Sequence, residues 1–448
     1  MITLKHDNQL KFPSIEVPMM VEDEDNNVRD VKQSAVEGIF VPLFRYNNIT
    51  INFTMVTSMT LTCNPVPKLK LTIEDHANLI KILDTPGKDN RLIMQVLPPF
   101  DNAYKKIQLS FYITDSRVDG STITFWALYD APGIWDSEMK TYGLATTYEV
   151  FEETSKAHQL GFCSNMDNTE DKRYIYNPNK DMQSFFDSEV QFGGQDKHVL
   201  EWWIDFWNNV NLVDIFEEYN RISEEDDMHI WISTSLPDVD GSNEPEPQQV
   251  LAAFSNHPMM ANSPMFIKDY VPITNGTNAS DVNFETYSMT DLECQSTLIQ
   301  DGDVHDCVLM QYKYGGERFG EFDYLTQRAS RDLFLSKIKS SVIEIEVGIP
   351  ILGIIRGDKV NIWWYDINSS STEEIDNSQI ESNIPLPDSE ADTEGSYIIN
   401  KTVSGQYTVL DIELNFDITS GWKNVFTLGR MADSVQRLNP PDKESLGK

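Results

Sequence analysis

Between Leu410 and Ile418 the chain alternates without a break. Leu410, Ile412, Leu414, Phe416 and Ile418 are apolar, and Asp411, Glu413, Asn415 and Asp417 stand between them. Successive side chains leave a strand on opposite faces, so alternation of this length predicts a half-buried β-strand. Thr419-Ser420-Gly421 then supplies a turn. The pattern resumes on Trp422, Phe426 and Leu428, with Lys423 and Thr427 on the other face. Taken with the strand-like run before it, Gly405 to Leu428 reads as an antiparallel hairpin that finishes a sheet.

A chain of 448 residues is expected to hold two to four domains, because single cores stop growing well below that length. With 40% apolar and 11% aromatic residues it can fill those cores and fold. Acidic residues outnumber basic ones 71 to 35, a net charge of −36. That excess opposes binding to a nucleic-acid backbone, where Lys and Arg must neutralise phosphates. It favours solubility, and an acidic solvated surface with no further purpose explains it equally well.

Cys63, Cys163, Cys294 and Cys307 are scattered and form no C-x-x-C pair, so neither a zinc site nor a disulfide framework is indicated. Cys294 and Cys307 are the two near enough in sequence to meet. The opening Met1-Ile2-Thr3-Leu4-Lys5-His6 lacks the basic start and apolar core of a signal peptide. Without one, triplets such as Asn48-Ile49-Thr50 carry little meaning as glycosylation sites. The most apolar window, Val342 to Ile355, is interrupted by Glu344, Glu346 and Pro350, so no membrane insertion is expected.

The character of the chain changes along its length. Residues 1–38 are polar, contain Glu22-Asp23-Glu24-Asp25-Asn26-Asn27, and read as an extended N-terminal arm. Residues 39–140 carry short strand-like runs at 51–57, 69–73, 92–96, 107–113 and 122–128. Pro65-Val66-Pro67, Thr85-Pro86-Gly87 and Asp119-Gly120-Ser121 separate them, the spacing of a small barrel or sandwich. Residues 141–235 read as a helical α/β section. Thr146-x-x-Glu149 is a capping box at the head of a helix from Tyr148 to Leu160, with Gly161 as its stop and Val150, Phe151, Thr154 and His158 on one face. A second helix is expected over Asp196 to Asn209, where Val199, Trp202, Trp203, Phe206 and Trp207 make it buried on most of its circumference.

Residues 236–300 form a loop-rich insertion marked by Pro237, Pro245, Pro247, Pro258, Pro264 and Pro272. Residues 301–435 then read as a second β-domain. A helix over Arg328 to Lys339 leads into the strand Val342–Val347, Gly348-Ile349-Pro350 breaks it, Arg356-Gly357-Asp358-Lys359 turns, and Val360–Tyr365 is the next strand. An excursion over 367–395 carries eight carboxylates (Glu373, Glu374, Asp376, Glu381, Asp388, Glu390, Asp392 and Glu394) and no basic residue, the composition of a disordered segment or an acidic tether. Tyr397-Ile398-Ile399 precedes the final hairpin, and 436–448 is a C-terminal tail.

Catalytic signatures are absent: there is no P-loop, no G-x-S-x-G elbow and no H-E-x-x-H. The seven histidines show no metal-ligand spacing. His76 follows Glu74-Asp75, and His305 lies between Asp303 and Asp306. Each has the carboxylate neighbour of an oriented general base, as many surface histidines in an acidic chain do by chance. Asp238-Val239-Asp240-Gly241-Ser242-Asn243-Glu244 is oxygen-rich but lacks the spacing to a bidentate Glu that a calcium loop needs, and reads better as a solvated turn. No catalytic, cofactor-binding or metal residue is assigned, and the chain is expected not to be an enzyme.

One order of parts is specific. A helix from Arg328 precedes a strand ending in Gly348-Ile349-Pro350; a turn at Gly357-Asp358 starts Val360 to Trp364; Val403-Ser404-Gly405-Gln406-Tyr407-Thr408-Val409 follows, and the hairpin ends in Thr427-Leu428-Gly429-Arg430. This order resembles the baseplate (tail) hub proteins of bacteriophages, whose module also forms the first part of type VI secretion spike proteins; residues 403–409 are similar to that family's S-G-x-Y-x-V strand. Tyr148 to Leu160, Tyr174-Ile175-Tyr176-Asn177-Pro178 and the segment near Trp202 resemble its linking domain more loosely. The likeness covers roughly residues 40–435 and is specific only at its C-terminal end. The segments 236–300 and 367–395 are longer than the family pattern.

The resemblance implies a mixed α+β, mainly β fold, with two small antiparallel β-barrels joined by a helical α/β domain. It implies a homotrimeric ring whose two barrels per subunit make a pseudo-six-fold surface, joining the six-fold tail tube to the three-fold central spike. Its partners would be further copies of itself, the tail tube protein and the central spike protein, with the tape measure protein and other baseplate proteins as further candidates. Genomic DNA would pass through the channel without specific binding, repelled by an acidic lining. The place would be the virion tail, after assembly in the host cytoplasm. A different class of reading is a carbohydrate- or host-surface-binding β-protein, with glycan hydrolase activity as a variant. It leans on Trp202, Trp203, Trp207, Trp363 and Trp364, and solvent access to these rings separates the two readings.

Overall fold

The structure, a computed structural model, describes residues 19–22, 28–31, 42–46, 49–76, 90–96, 107–194, 198–221, 228–233, 249–256, 331, 334–335, 338–339, 341–348, 354–367, 397–399 and 404–430. The oxygen-rich run 238–244, His305, Cys294, Cys307, nearly all of the acidic excursion 367–395 and the tail 436–448 lie outside them.

Within the expected arm, β1 (Met19–Glu22) and β2 (Val28–Val31) pair antiparallel. The strands of the next section are β3 (Leu43–Tyr46), β4 (Ile49–Ile51), β5 (Val56–Cys63), β6 (Pro67–Glu74), β7 (Arg91–Val96), β8 (Ile107–Asp119) and β9 (Thr122–Tyr129). They pair antiparallel in the order β5-β6-β9-β8-β7-β3-β4. Their alternation does the work: Leu69, Leu71 and Ile73 point into the core while Lys68 and Lys70 stay outside. Gly120, at φ 64 between β8 and β9, adopts the left-handed conformation that tight hairpin turns favour.

The middle section holds β10 (Glu138–Ala145), α1 (Thr147–Ala157), β11 (Gly161–Ser164), β12 (Arg173–Lys180), α2 (Met182–Glu189), β13 (Leu200–Ile204), β14 (Asn209–Asp214) and α3 (Ile215–Asn220). The capping box forms as expected: Glu149 N–H donates to Thr146 Oγ1 at 3.2 Å, and Thr146 N–H donates to Glu149 Oε2 at 2.9 Å. The helix stops earlier than expected. Gln159, at φ 61, takes the left-handed turn, and Gly161 already starts β11.

The helix expected over Asp196 to Asn209 is instead the hairpin β13–β14, paired from Leu200↔Asp214 to Ile204↔Val210. Two local causes favour the hairpin. Trp, Ile and Val suit a pleated surface. At the tip, Asp205 Oδ1 accepts the N–H groups of Trp207 (2.8 Å) and Asn209 (2.9 Å), while Asn208 sits at φ 63. The hairpin is buried on both faces, so its apolar residues run on continuously and imitate a buried helix. Trp202 packs with Phe151 and Phe186, whereas Trp203 joins Val199, Val213, Ile215, Phe334 and Ile338 in a separate cluster.

The C-terminal strands are β15 (Met228–Ser233), β16 (Gln249–Asn256), β17 (Ser341–Val347), β18 (Lys359–Ile367), β19 (Tyr397–Ile399), β20 (Gly405–Asp417) and β21 (Gly421–Arg430). Residues 331, 334, 335 and 338, inside the expected helix Arg328 to Lys339, are helical. β20 pairs with β21, β21 with β17, β17 with β16, β16 with β15, β15 with β18, and β18 again with β20, so the pairings of six strands run in a closed cycle. β16 falls within the segment expected to be loop-rich, where its short run Val250-Leu251-Ala252-Ala253-Phe254 is overshadowed by flanking prolines. The sheet is not purely antiparallel, as had been expected. β15 runs parallel to both β16 and β18, because long connections rather than tight turns join these strands.

The final hairpin follows its sequence, with two changes. Ile412, Leu414 and Phe416 are buried, but a bulge between Val409 and Asp411 breaks the alternation at Leu410, and Ile418 lies past the strand, 52% exposed. The far end of β20 pairs with β5, from Glu413↔Thr62 to Asp417↔Ser58. That ladder joins the N- and C-terminal strands into one hydrogen-bonded sheet of fourteen.

Candidate functional site

The residues that the fold brings together lie where the N-terminal sheet, β13 and the C-terminal strands meet. Glu201, on β13, is 18% exposed at its side chain. Its Oε1 accepts from Arg331 Nη2 at 2.6 Å, and its Oε2 accepts from Arg356 Nη2 at 3.0 Å. Arg356 lies in the turn before β18 and reaches further. Its Nη1 donates to Asn64 Oδ1 at 3.0 Å, in the turn between β5 and β6, and its guanidinium carbon stands 5.8 Å from the centre of the Trp203 ring. Asn64 Nδ2 in turn donates to Asp411 Oδ2 on β20 at 3.1 Å. The backbone repeats the connection, since Ile204 N–H donates to Pro65 O at 2.7 Å. One carboxylate on β13 thus ties together three stretches far apart in the chain.

The side chains of Arg331 and Arg356 are only 11% and 16% exposed, so each guanidinium depends on its partner to offset lost hydration. Beside the network opens a cleft of about 310 Å³, lined chiefly by Ile215, Leu335, Ile338, Val409 and Leu410. At its edge Glu201 and Arg356 are committed to each other and Asp411 to Asn64, contacts that hold segments distant in sequence in place.

A second buried network fixes the start of α1. Thr147 donates to Asp171 through its N–H (2.9 Å) and its hydroxyl (2.5 Å), and the Thr169 hydroxyl donates to the same carboxylate. Arg173 Nη2 donates to Glu189 at 2.8 Å and to the Thr147 hydroxyl at 3.1 Å, which brings in β12 and the end of α2. Nearby, Asp214 accepts from Val199 N–H and Phe216 N–H while its other oxygen lies 2.6 Å from His198 Nδ1. The hydrogen bond to Asp214 outweighs burial and raises the His198 pKa.

None of these networks was visible in the sequence, where Asn64, Glu201, Arg331, Arg356 and Asp411 share no motif. The one candidate base that the structure describes, His76, forms an exposed pair with Glu74 at 2.8 Å. Trp202 and Trp203 are each 2% exposed and Trp207 packs against the main core. The side chains of Trp363 and Trp364 lie outside the described residues. Cys63 and Cys163 are buried free thiols, and burial raises the pKa of both. Among the described residues no group of three or more His, Cys, Asp or Glu side chains could hold a metal ion, and no helix is long and apolar enough to cross a membrane.

No protein-family model and no curated protein matches this sequence. Solved structures do resemble it. The 43 kDa tail protein of prophage MuSo2 from Shewanella oneidensis is similar over 89% of this chain and 98% of its own, at 12% identity and a TM-score of 0.47. A tail protein from Neisseria meningitidis MC58 is similar over 90% of this chain and 99% of its own, at 10% identity and a TM-score of 0.46. The c3393 protein of E. coli, a type VI secretion component, is similar over 89% and 79%, at 7% identity and a TM-score of 0.40. Phage tail proteins and type VI secretion proteins are the group that the C-terminal motifs of this chain resemble.

Proposed function

We propose that this chain is a structural hub of a phage tail or baseplate: a homotrimeric ring in which each subunit offers two barrels to the tail tube. The observation that carries the reading is the order of the described elements between 341 and 430. β17 leads to a turn on Gly357, at φ 88, which starts β18; β20 begins on Gly405, and the hairpin with β21 follows. This is the order of strands and glycines on which the resemblance rests, and the closed cycle of pairings supports reading it as a small barrel.

In this reading β3 to β9 make the first barrel, within 39–140, and the section 141–235 links it to the second. The second barrel takes β17 to β21 from 301–435 and borrows β15 and β16 from upstream. The Glu201 network then fixes the angle between barrels, which a pseudo-six-fold surface requires to be constant. The ring would join the six-fold tube to the three-fold central spike and leave a channel for DNA, with acidic residues repelling phosphate. Tail tube, spike, tape measure and other baseplate proteins would be its partners, in a virion tail assembled in the host cytoplasm. The role is architectural, with no reaction assigned. A sugar-binding platform is not favoured, because Trp202 and Trp203 are spent in the core.

Electron cryo-microscopy of the assembled tail tests the proposal. Three copies in a ring beneath the tube are expected. Copies on the outside of the particle, away from the tube axis, would overturn it.

A further inference from the structure

The middle section reaches the C-terminal strands through α3 as well as through Glu201. Phe216 and Tyr219 on α3 meet Phe334 edge to face, at 5.2 and 5.7 Å between ring centres. Just past the helix, the Arg221 carbonyl accepts from Lys359 Nζ at the start of β18, and that ammonium stands 6.0 Å from the centre of the Tyr219 ring. With only six residues, α3 is too short to hold its shape without outside contacts. What fixes its first turn therefore decides whether the bridge stands.

That turn is fixed by Asp214. Its Oδ1 caps the helix by accepting Phe216 N–H at 2.9 Å, and also takes Val199 N–H at 3.0 Å. Asn165 holds its backbone, accepting Asp214 N–H at 2.9 Å and donating to Asp214 O at 3.1 Å. The Asp214 side chain is 1% exposed, and among the described residues its one ion-pair partner is His198, whose Nδ1 lies 2.6 Å from Oδ2. A buried carboxylate needs a counter-charge, and here the counter-charge is one that pH removes. The other charged groups that act on His198 are also acidic: Glu217 on α3 and Glu170 in the segment before β12. The cations of these elements are engaged elsewhere or solvated. Arg221 pairs with Glu218 at 2.9 Å, Arg173 with Glu189 at 2.8 Å, and Lys172 is exposed. Protonated, the imidazolium answers three carboxylates. Neutral, it keeps a hydrogen bond to Asp214 as the Nδ1–H tautomer but leaves that carboxylate buried without compensation.

We propose that His198 and Asp214 form a proton-operated latch on α3, which locks the middle section to the C-terminal strands when protonated and lets α3 loosen when the proton leaves. The hydrogen bond to Asp214 raises the His198 pKa above the ordinary value of 6.5. The stabilisation is therefore complete below that ordinary value, which the unfolded chain has, and is lost as pH rises through the folded one. The latch belongs to the single chain and does not depend on the ring reading.

The test is hydrogen–deuterium exchange of the full chain, read by mass spectrometry on peptides spanning 198–221, from about pH 6 to about pH 8.5. Each rate is divided by that of the unfolded chain at the same pH, which removes the chemical dependence of exchange. In wild type, protection of these peptides should fall at least about threefold across the range, while that of β6 and β9 stays level. His198→Gln should start with low protection and stay flat. Asp214→Asn keeps an oxygen for the two N–H groups and should be flat as well. Wild-type protection that does not change with pH would overturn the latch, and that arm requires no variant to fold. Either variant losing protection over the same range as wild type would overturn it too, because the proton would then act elsewhere.

Discussion

Two hairpins in this chain turn on an aspartate. In β13–β14, Asp205 accepts the N–H groups of Trp207 and Asn209; in β20–β21, Asp417 accepts those of Thr419 and Ser420 at 2.8 and 3.2 Å. The local chemistry is the same, a carboxylate satisfying the donors of a tight turn. The surroundings differ. Burial raises the Asp205 pKa against the pull of its hydrogen bonds, whereas Asp417 is in water and its bonds, the Thr419 hydroxyl first, lower its pKa. One hairpin is covered on both faces and the other on one, and most of what separates them follows from that difference.

Truncating the aromatic anchors should separate them most. Trp202 is 2% exposed, meets Phe186 at 5.1 Å and donates its Nε1–H to Asp187 at 2.8 Å. Trp422 is 7% exposed and meets Phe416 at 5.1 Å. Trp202→Ala is expected to cost about 5 kcal/mol and Trp422→Ala about 3 kcal/mol, read from urea midpoints by circular dichroism. Equal costs would mean that the second covered face adds nothing.

The ion pairs give the next contrast. Glu201→Ala strands two nearly buried guanidinium groups and should cost about 3 kcal/mol. In the other hairpin Lys423 meets Glu346 at 2.6 Å with both side chains more than a third exposed, and Lys423→Ala should cost less than about 1 kcal/mol. Small-angle scattering adds a readout specific to the joint: Glu201→Ala should broaden the particle's dimensions, and Lys423→Ala should leave them unchanged. A Glu201→Ala protein of wild-type dimensions would show that the β5–β20 ladder holds the sheets without the network.

The same difference decided what could be read in the sequence. β20–β21 was legible because water on one side forces strict alternation from Asp411 to Asp417; the errors, at Leu410 and Ile418, came from a bulge and from the strand's end, neither of which periodicity encodes. β13–β14 was misread because Trp202 and Trp203 point to opposite faces and both are buried, which leaves no period to detect. The joint was illegible for another reason. Asn64, Glu201, Arg331, Arg356 and Asp411 become neighbours only through long-range strand pairing, and no spacing in the chain records it. Capping, by contrast, is local chemistry, so the box at Thr146 and Glu149 was readable from four residues.

The pH response tests the electrostatic contrast more finely. Asp205 has a folded pKa above its unfolded one, so its contribution to stability is full below the ordinary carboxylate range and is lost as pH rises through the folded value. Asp205→Asn keeps an acceptor for the turn and removes the ionisation. Its stability relative to wild type should therefore increase as pH rises from about 4 to 7. A difference that stays flat would mean that Asp205 is as readily ionised in the fold as out of it.

Asp417 should do the reverse, and by less. Its folded pKa lies below the unfolded one, so its contribution is present above the ordinary carboxylate range and is lost as pH falls through the folded value. Because the group is solvated, Asp417→Asn should shift the thermal midpoint by only about 1 °C at neutral pH, with the difference vanishing in acid. The two aspartate variants should thus show pH slopes of opposite sign in differential scanning calorimetry. If Asp417→Asn instead followed the slope of Asp205→Asn, burial would not be what distinguishes the two turns, and a cause common to both hairpins, such as the field of a chain at −36, would have to replace it.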